Sequence, residues 1–276
     1  MPDKESALML LDAFLFFNES ALLKVRLDYL GPVIDKFLIV ESDVDFAGKP
    51  REMVLTPDFV RRLPYAEKLE IIQWRPNLLL KHLIFNIGRK YKNAKILWQI
   101  QYFQKNQILK LLKKQSKDDI LLFGDLDEIP DKIYLENKNE LLKILKLNKS
   151  CSFLQSVYYY SIYNSSCQNW KGTTISRVEN AIEITPKYLS KRRSTYPQYG
   201  SGWHFSYFGD PKAVRRKIST IASVEEMQQF ENMSLEEVQL KMNAGSDLYG
   251  RNWLEFKKLD APDLPRELQE LFQKHF

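Results

Sequence analysis

The stretch Asp118-Asp119-Ile120-Leu121-Leu122-Phe123-Gly124-Asp125-Leu126-Asp127-Glu128-Ile129-Pro130 decides how this chain is read. Four consecutive apolar residues bounded by acids and a glycine have the length of a strand buried on both faces, as in a parallel sheet covered by helices. In an extended chain alternate residues project to one side, so Asp125 and Asp127 are expected to face one ligand while Leu126 turns to the core. Gly124 admits a close neighbour and Pro130 stops the segment. A D-x-D tripeptide carries little by itself, and a second one, Asp43-Val44-Asp45, is present. The apolar strand before Asp125 and the Glu128-Ile129-Pro130 after Asp127 set this one apart. Three carboxylates in four residues repel one another unless a cation joins them, and hard oxygen donors suit Mn²⁺ or Mg²⁺ bridging a diphosphate.

Working outward, apolar bursts of strand length alternate with helix-period stretches. Ala13–Phe17, Phe37–Val40, Leu69–Ile72 and Ile120–Phe123 read as strands; Ser20–Leu30, Phe59–Lys68 and Trp98–Lys114 read as helices. This βαβα alternation predicts a parallel sheet with helices on both faces and a ligand crevice at the carboxyl ends of the strands, where Asp125 and Asp127 stand. After Pro130 the pattern changes to mixed β structure. A helix is expected around Asn139–Leu147, a strand over Ser152–Tyr160, a loop rich in Ser, Asn and Gly, and then Trp203-His204-Phe205. Helices near Pro211–Ala222, Leu235–Asn243 and Pro265–His275 close the chain, the last with Leu264, Leu268, Leu271, Phe272 and Phe276 on one stripe that packs on the domain. The absence of linkers and repeats gives one domain over 1–276, with a nucleotide-binding half 1–130, a mixed part 131–210 that the resemblance described below makes the acceptor and metal half, and a helical extension 211–276.

Composition is that of an ordinary globular protein: 276 residues, 44% hydrophobic and 28% charged, so disordered and fibrous classes are excluded. A chain this long buries roughly 75% of its unfolded surface without disulfides or structural metals. Cys151 and Cys167 form no C-x-x-C pair and read as plain buried thiols. The formal net charge of +6 is interspersed, which suits an anionic ligand but does not mark a nucleic-acid protein. The basic clusters Lys191-Arg192-Arg193 and Arg215-Arg216-Lys217 read as solvated helix faces. The apolar run Met9–Phe17 is interrupted by Asp12 and far too short to span a membrane, so a cytoplasmic location is expected, with peripheral membrane association through the C-terminal stripe as the lesser reading.

Four blocks resemble glycosyltransferase family 17, the family that includes the enzyme adding the bisecting N-acetylglucosamine to N-glycans. They are Phe16-Phe17-Asn18-Glu19 with Leu23–Leu27, Ile39–Asp43 with Gly48–Arg51, Gly124–Pro130, and Gly202-Trp203-His204-Phe205-Ser206-Tyr207-Phe208-Gly209. They extend from about residue 12 to 253. The resemblance implies a GT-A-type fold, a UDP-sugar donor, a glycan acceptor, Mn²⁺ or Mg²⁺, and inversion at the anomeric carbon. By that resemblance Asp125, Asp127 and His204 hold the metal and Glu128 is the acid beside it. Asn18, Glu19, Arg26, Glu41, Gln104, Asn106 and Asp125 fall on donor-binding positions. The chain departs from the family pattern at Ile100–Asn106, where a lysine, Lys105, replaces the usual arginine of that block.

Leaving-group charge calls for cations, for which Lys49, Arg51 and Arg177 are candidates. An acceptor hydroxyl calls for a base, for which Asp247 and Glu225 are candidates, although Asp247 also reads as a turn residue and Glu225 as a first-turn acid of a capped helix. Trp170 and the Tyr196–Tyr199 loop are expected near an acceptor. Two other classes compete. A nucleotidyltransferase uses paired aspartates but normally carries a Gly-rich phosphate loop, absent from Asn18-Glu19-Ser20. A non-catalytic glycan- or RNA-binding module would rest on the basic clusters and aromatics.

Overall fold

A computed structural model describes residues 8–46, 48–83, 94–220, 233–251 and 254–276, without the side chains of 78, 83 and 94–97. The strands are β1 (Leu10–Phe16), β2 (Lys36–Ser42), β3 (Leu69–Trp74), β4 (Ile120–Phe123), β5 (Glu128–Pro130), β6 (Ser150–Tyr159), β7 (Asn164–Arg177), β8 (Gln198–Ser206) and β9 (Phe256–Lys258). The helices are α1 (Ser20–Leu30), α2 (Pro57–Val60), α3 (Leu78–Leu83), α4 (Ala94–Asn106), α5 (Leu109–Leu112), α6 (Lys138–Asn148), α7 (Val178–Ile184), α8 (Pro186–Arg192), α9 (Pro211–Thr220), α10 (Leu235–Ala244) and α11 (Arg266–His275).

One sheet runs β3-β2-β1-β4-β7-β6-β8-β5, with β9 paired to β7. The expected parallel half is β3-β2-β1-β4. Beyond it the sheet is mixed: β7 is antiparallel to both β4 and β6, β8 is parallel to β6, and β5 returns antiparallel on β8. The α/β class is as the sequence indicates.

The parallel half is buried on both sides, and each strand divides its side chains between two cores. Leu10 and Phe14 of β1, Phe37 and Ile39 of β2, and Ile120 and Leu122 of β4 face α1, α6 and α11. Leu11, Leu15, Leu38, Val40, Leu121 and Phe123 face α5, α7 and α8. Continuous apolar strands follow from that double coverage. A smaller core of Tyr159, Tyr160, Val214, Ile218, Val238 and Leu248 seats α9 and α10 at the sheet's far end. In α11, Leu268 and Phe272 are buried, Phe272 packing on Phe205 at a ring-centre distance of 4.6 Å, so the C-terminal stripe is a domain contact. No described helix is long and apolar enough to cross a membrane.

Three local expectations differ. Residues 61–65 are not helical: Pro64 lacks the donor a helix interior needs, and Tyr65 adopts φ 52°, so only short turns flank them. The expected loop after Tyr160 is largely the 14-residue strand β7; pairing on both edges supplies ladder hydrogen bonds that its polar composition does not advertise. Cys151 is buried as expected, but Cys167 is exposed.

Candidate active site

The sheet reverses direction of winding between β1 and β4, so the loops after their C-terminal ends diverge and open a crevice. Into it β4 delivers Gly124 and then a turn closed by the Glu128 N–H on the Asp125 carbonyl, 3.0 Å. The two aspartates therefore sit in a turn and not in an extended strand: both border one cavity, but Asp125 turns to Lys105 and Arg193 and Asp127 to Lys217 and His204. Glu128 folds back underneath, its Oε2 accepting the Asp125 N–H at 3.0 Å. Only glycine fits at 124, where a Cβ would lie 2.5 Å from Thr173 Oγ1.

Arg26 anchors this turn from below. Fully buried on α1, it pairs with Asp12 of β1 through Nε and Nη2 at 2.8 and 2.7 Å. Its Nη1 donates to the carbonyls of Asp125, Leu126 and Glu128 at 3.1, 3.1 and 2.7 Å. A guanidinium satisfies all of these at once because its donors are planar and divergent, and burial without such partners would be costly.

Above the turn lies a cavity of about 310 Å³ whose wall includes Phe17, Glu19, Phe46, Asp125, Asp127 and His204. Lys217 of α9 crosses it, its Nζ 2.7 Å from Asp127 Oδ2 and 3.4 Å from Glu19 Oε1. His204 Nε2, on β8, lies 3.5 Å from the same Asp127 oxygen. The Asp125 carboxylate meets Lys105 at 2.9 Å and Arg193 at 3.6 Å. Burial alone would raise both acids, but Lys105 and Arg193 outweigh it at Asp125, and Lys217 and His204 at Asp127, so both are held below the usual carboxylate range. Burial likewise opposes charge on Lys217, yet Asp127 and Glu19 raise its pKa well above that of an ordinary lysine.

A family model, glycosyltransferase family 17, matches residues 3–257. The chain belongs to glycosyltransferase family 17. No curated protein sequence matches it. Among solved structures, galactosyltransferase LgtC in complex with donor and acceptor sugar analogues covers 96% of this chain and 95% of its own at 9% identity, with a TM-score of 0.36. An active-site mutant of LgtC shows the same coverage at 10% identity and a TM-score of 0.32.

This glycosyltransferase brings together Asp125, Asp127, Glu128, His204 and Glu19, all expected from sequence and all lining the one cavity. Other expected residues serve the site from outside it or not at all. Arg26 is sealed in the core and positions the turn through backbone carbonyls. Glu41 is buried, accepting the N–H groups of Val54 and Leu55 at 2.6 and 3.0 Å and Arg51 at 3.1 Å. Arg51 in turn donates to the Ser42 and Phe17 carbonyls and to Asn18 Oδ1. These three residues fasten the loop after β2 to the loop after β1. Lys49 Nζ reaches the Ser219 carbonyl at 3.4 Å, Gln104 Nε2 donates to the Val44 carbonyl at 2.9 Å, and Asn106 Oδ1 accepts the Lys187 N–H at 3.2 Å. Arg177 pairs with Asp118 and Glu179 beside Ile120, the start of β4, which places it at the opposite end of the strand from the crevice.

The base candidates fare differently from expectation. Asp247 does not line the cavity: it is buried, accepting the N–H groups of Tyr249 and Arg251 at 3.1 and 2.8 Å and pairing with the Arg251 guanidinium at 2.8 Å. Burial would raise its carboxyl, but the Arg251 bonds prevail and lower it, an arrangement that matches a turn residue more closely than a base facing the cavity. Glu225 lies outside the described residues. Glu128 is 1% exposed, with Oε1 accepting Trp170 Nε1 and Arg193 Nη1, each at 2.7 Å, so it positions the turn and wall. Tyr199 packs against Phe153 and Tyr134 in the core rather than near a substrate, whereas Trp170 is 37% exposed at the cavity.

The expected metal set assembles only in part. Asp127 and His204 converge, but Asp125 is turned to Lys105 and Arg193, and no group of three His, Cys, Asp or Glu side chains that could hold a metal ion occurs among the described residues. Ammonium groups stand against both carboxylates where a divalent cation would have to bind, so the arrangement does not fit Mn²⁺ or Mg²⁺.

Lys105, Arg193 and Lys217 were read from sequence as a block departure and as solvated clusters. A signal for Lys217 exists: it lies three residues from Val214 and one from Ile218, both buried, so it borders the inner face of α9. Nothing local marks Arg193.

Proposed function

We propose that this glycosyltransferase moves a sugar from a UDP-sugar, N-acetylglucosamine by family resemblance, onto a glycan hydroxyl by a single displacement with inversion. The observation that supports it is the cavity at the C-terminal ends of β1 and β4, where Asp125, Asp127, His204 and Lys217 line one wall and the aromatic pair Phe17 and Phe46, 5.9 Å apart, another. The aromatic pair suits a pyrimidine ring, and Lys217, the cation across the acidic wall, is the group that would face the diphosphate.

As the acceptor hydroxyl oxygen bonds to the anomeric carbon and its proton leaves to solvent in the open cavity, the bond from that carbon to the diphosphate oxygen breaks and negative charge grows on the leaving group. Lys217 is placed to meet it: Asp127 and Glu19 keep its ammonium charged and aimed into the cavity before substrate arrives. A donor oriented in advance is worth about 10²–10³ in kcat because nothing needs to reorganise during reaction. Arg26 and Glu128 keep Asp125 and Asp127 in place from beneath. Metal assistance forms no step of this reading, because the carboxylates it would need are ion-paired.

UDP release from UDP-N-acetylglucosamine, UDP-galactose and UDP-glucose, with calorimetry of UDP itself, tests the proposal. Binding of UDP and its loss in Asp127→Asn is the expected result. Indifference to all three donors and to UDP rejects it.

A further inference from the structure

A second cavity, of about 390 Å³, opens on the other side of Asp125. It shares Trp98, Gln101, Asp125 and Trp170 with the donor cavity, so a molecule lying in it borders the same reacting centre. This placement rests on the donor reading given above.

The two chambers differ in charge. The donor cavity is walled by Glu19, Asp125, Asp127 and Glu128 with Lys217 across them. The second is walled by Lys105, Lys171, Lys191 and Arg193, and Asp125 is the one carboxylate on its described wall. Two of these cations are already matched: Lys105 by Asp125, and Arg193 by Glu128 and Asp125. The other two face no acid among the described residues. Lys171 Nζ donates to the carbonyls of Ser194 and Tyr196 at 3.2 and 2.9 Å, which fix the ammonium in place without neutralising it. Lys191 is exposed and makes no ion pair among the described residues. Two ammonium groups without a counter-charge among the described residues, one of them anchored by carbonyls, form an anion-binding wall. Trp170 completes the chamber: Glu128 holds its indole N–H at 2.7 Å and Arg193 lies 4.4 Å from the ring centre, so the ring is a fixed surface for a sugar.

We infer that this second cavity is the acceptor site and that the acceptor is an anionic saccharide, bearing a phosphate or carboxylate that Lys171 and Lys191 engage while its hydroxyl faces the donor beside Asp125. The chemistry shared by the two kinds of acceptor is an oxyanion on a sugar.

Calorimetric titration of the UDP-saturated protein with glucose 6-phosphate, glucuronate and methyl glucoside tests this and separates the two anion sources. The phosphorylated or the carboxylated sugar is expected to bind at least about tenfold more tightly than methyl glucoside, the tighter one naming the source. Lys191→Met, an exposed change that leaves packing alone, is expected to weaken the anionic sugar about tenfold and leave methyl glucoside and UDP unchanged. Lys171→Met is expected to act in the same direction. Equal binding of charged and neutral sugars overturns the inference. So does a loss of UDP affinity in Lys191→Met or Lys171→Met, which would make this chamber the diphosphate site. Failure of the wild-type protein to bind UDP at all would instead overturn the donor reading, and the acceptor placement with it.

Discussion

Lys217 Nζ stands 2.7 Å from Asp127 Oδ2 and 3.4 Å from Glu19 Oε1, so one ammonium on α9 joins the loop after β1 to the turn after β4 across the mouth of the crevice. Lys217→Met would leave Asp127 with His204 as its remaining described partner and remove the lysine from Glu19. UDP affinity is expected to fall about tenfold or more, and the melting temperature to fall with it, because Asp127, only 11% exposed, loses its nearest cation. Calorimetry paired with thermal melts checks this; unchanged UDP affinity would remove Lys217 from the site.

Acid should reveal the same ion pairs. Asp127 and Asp125 titrate below their unfolded values, so each contributes stability that is present above the unfolded pKa and lost as pH falls toward the folded one. The melting-temperature gap between wild type and Asp127→Asn is therefore expected to hold constant from pH 7 to about 5 and to narrow below about pH 4. A gap that grows on acidification contradicts the pairing.

Arg26 tests the positioning of the turn. Its replacement by Met strands Asp12 in the core and frees three carbonyls, which is expected to cost about 3–5 kcal/mol in urea unfolding. Arg26→Lys should recover little, since one ammonium cannot span Asp12 and three carbonyls. A loss below about 1 kcal/mol would mean the turn is held by other contacts.

Asp247→Asn separates a proton acceptor from a structural acid. With its oxygens committed to Arg251 and two backbone N–H groups, the variant is expected to lose stability but retain kcat within about threefold. A drop of about 10³ or more in kcat, with the fold intact by circular dichroism, would restore Asp247 as the base.

Metal removal addresses the ammonium groups at Asp125 and Asp127. UDP affinity in EDTA is expected to stay within about threefold of that with Mn²⁺. A steep fall would show that Lys105 and Lys217 give way to a cation when donor binds.

Much of this was legible because it depends on local pattern. Four apolar residues before a glycine and two aspartates can scarcely be anything but a buried strand ending at a crevice, and Ser20–Leu30, read as one helix, is α1. The identity of the cavity acids followed, since chain direction alone places Asp125 and Asp127 at the carboxyl end of β4. Asp247 carried two readings, a base and a turn acid, and its Gly-Ser-Asp setting supported only the second.

What the linear order could not decide is which charge meets which. Lys105, Arg193 and Lys217 come from three separate helical regions, lie between 20 and 90 residues from their aspartates, and share no local pattern with them. Arg26 and Glu41 carry motif-like positions yet are buried, because whether a charged side chain faces ligand or core is set by what packs over it. The strand β7 was hidden for the same reason: its polar residues hold an extended form only because β4 and β6 flank it. Sequence fixes periodicity and chain direction through short-range sterics and burial, whereas ion pairing and cavity charge arise from contacts that exist only after the chain has closed on itself.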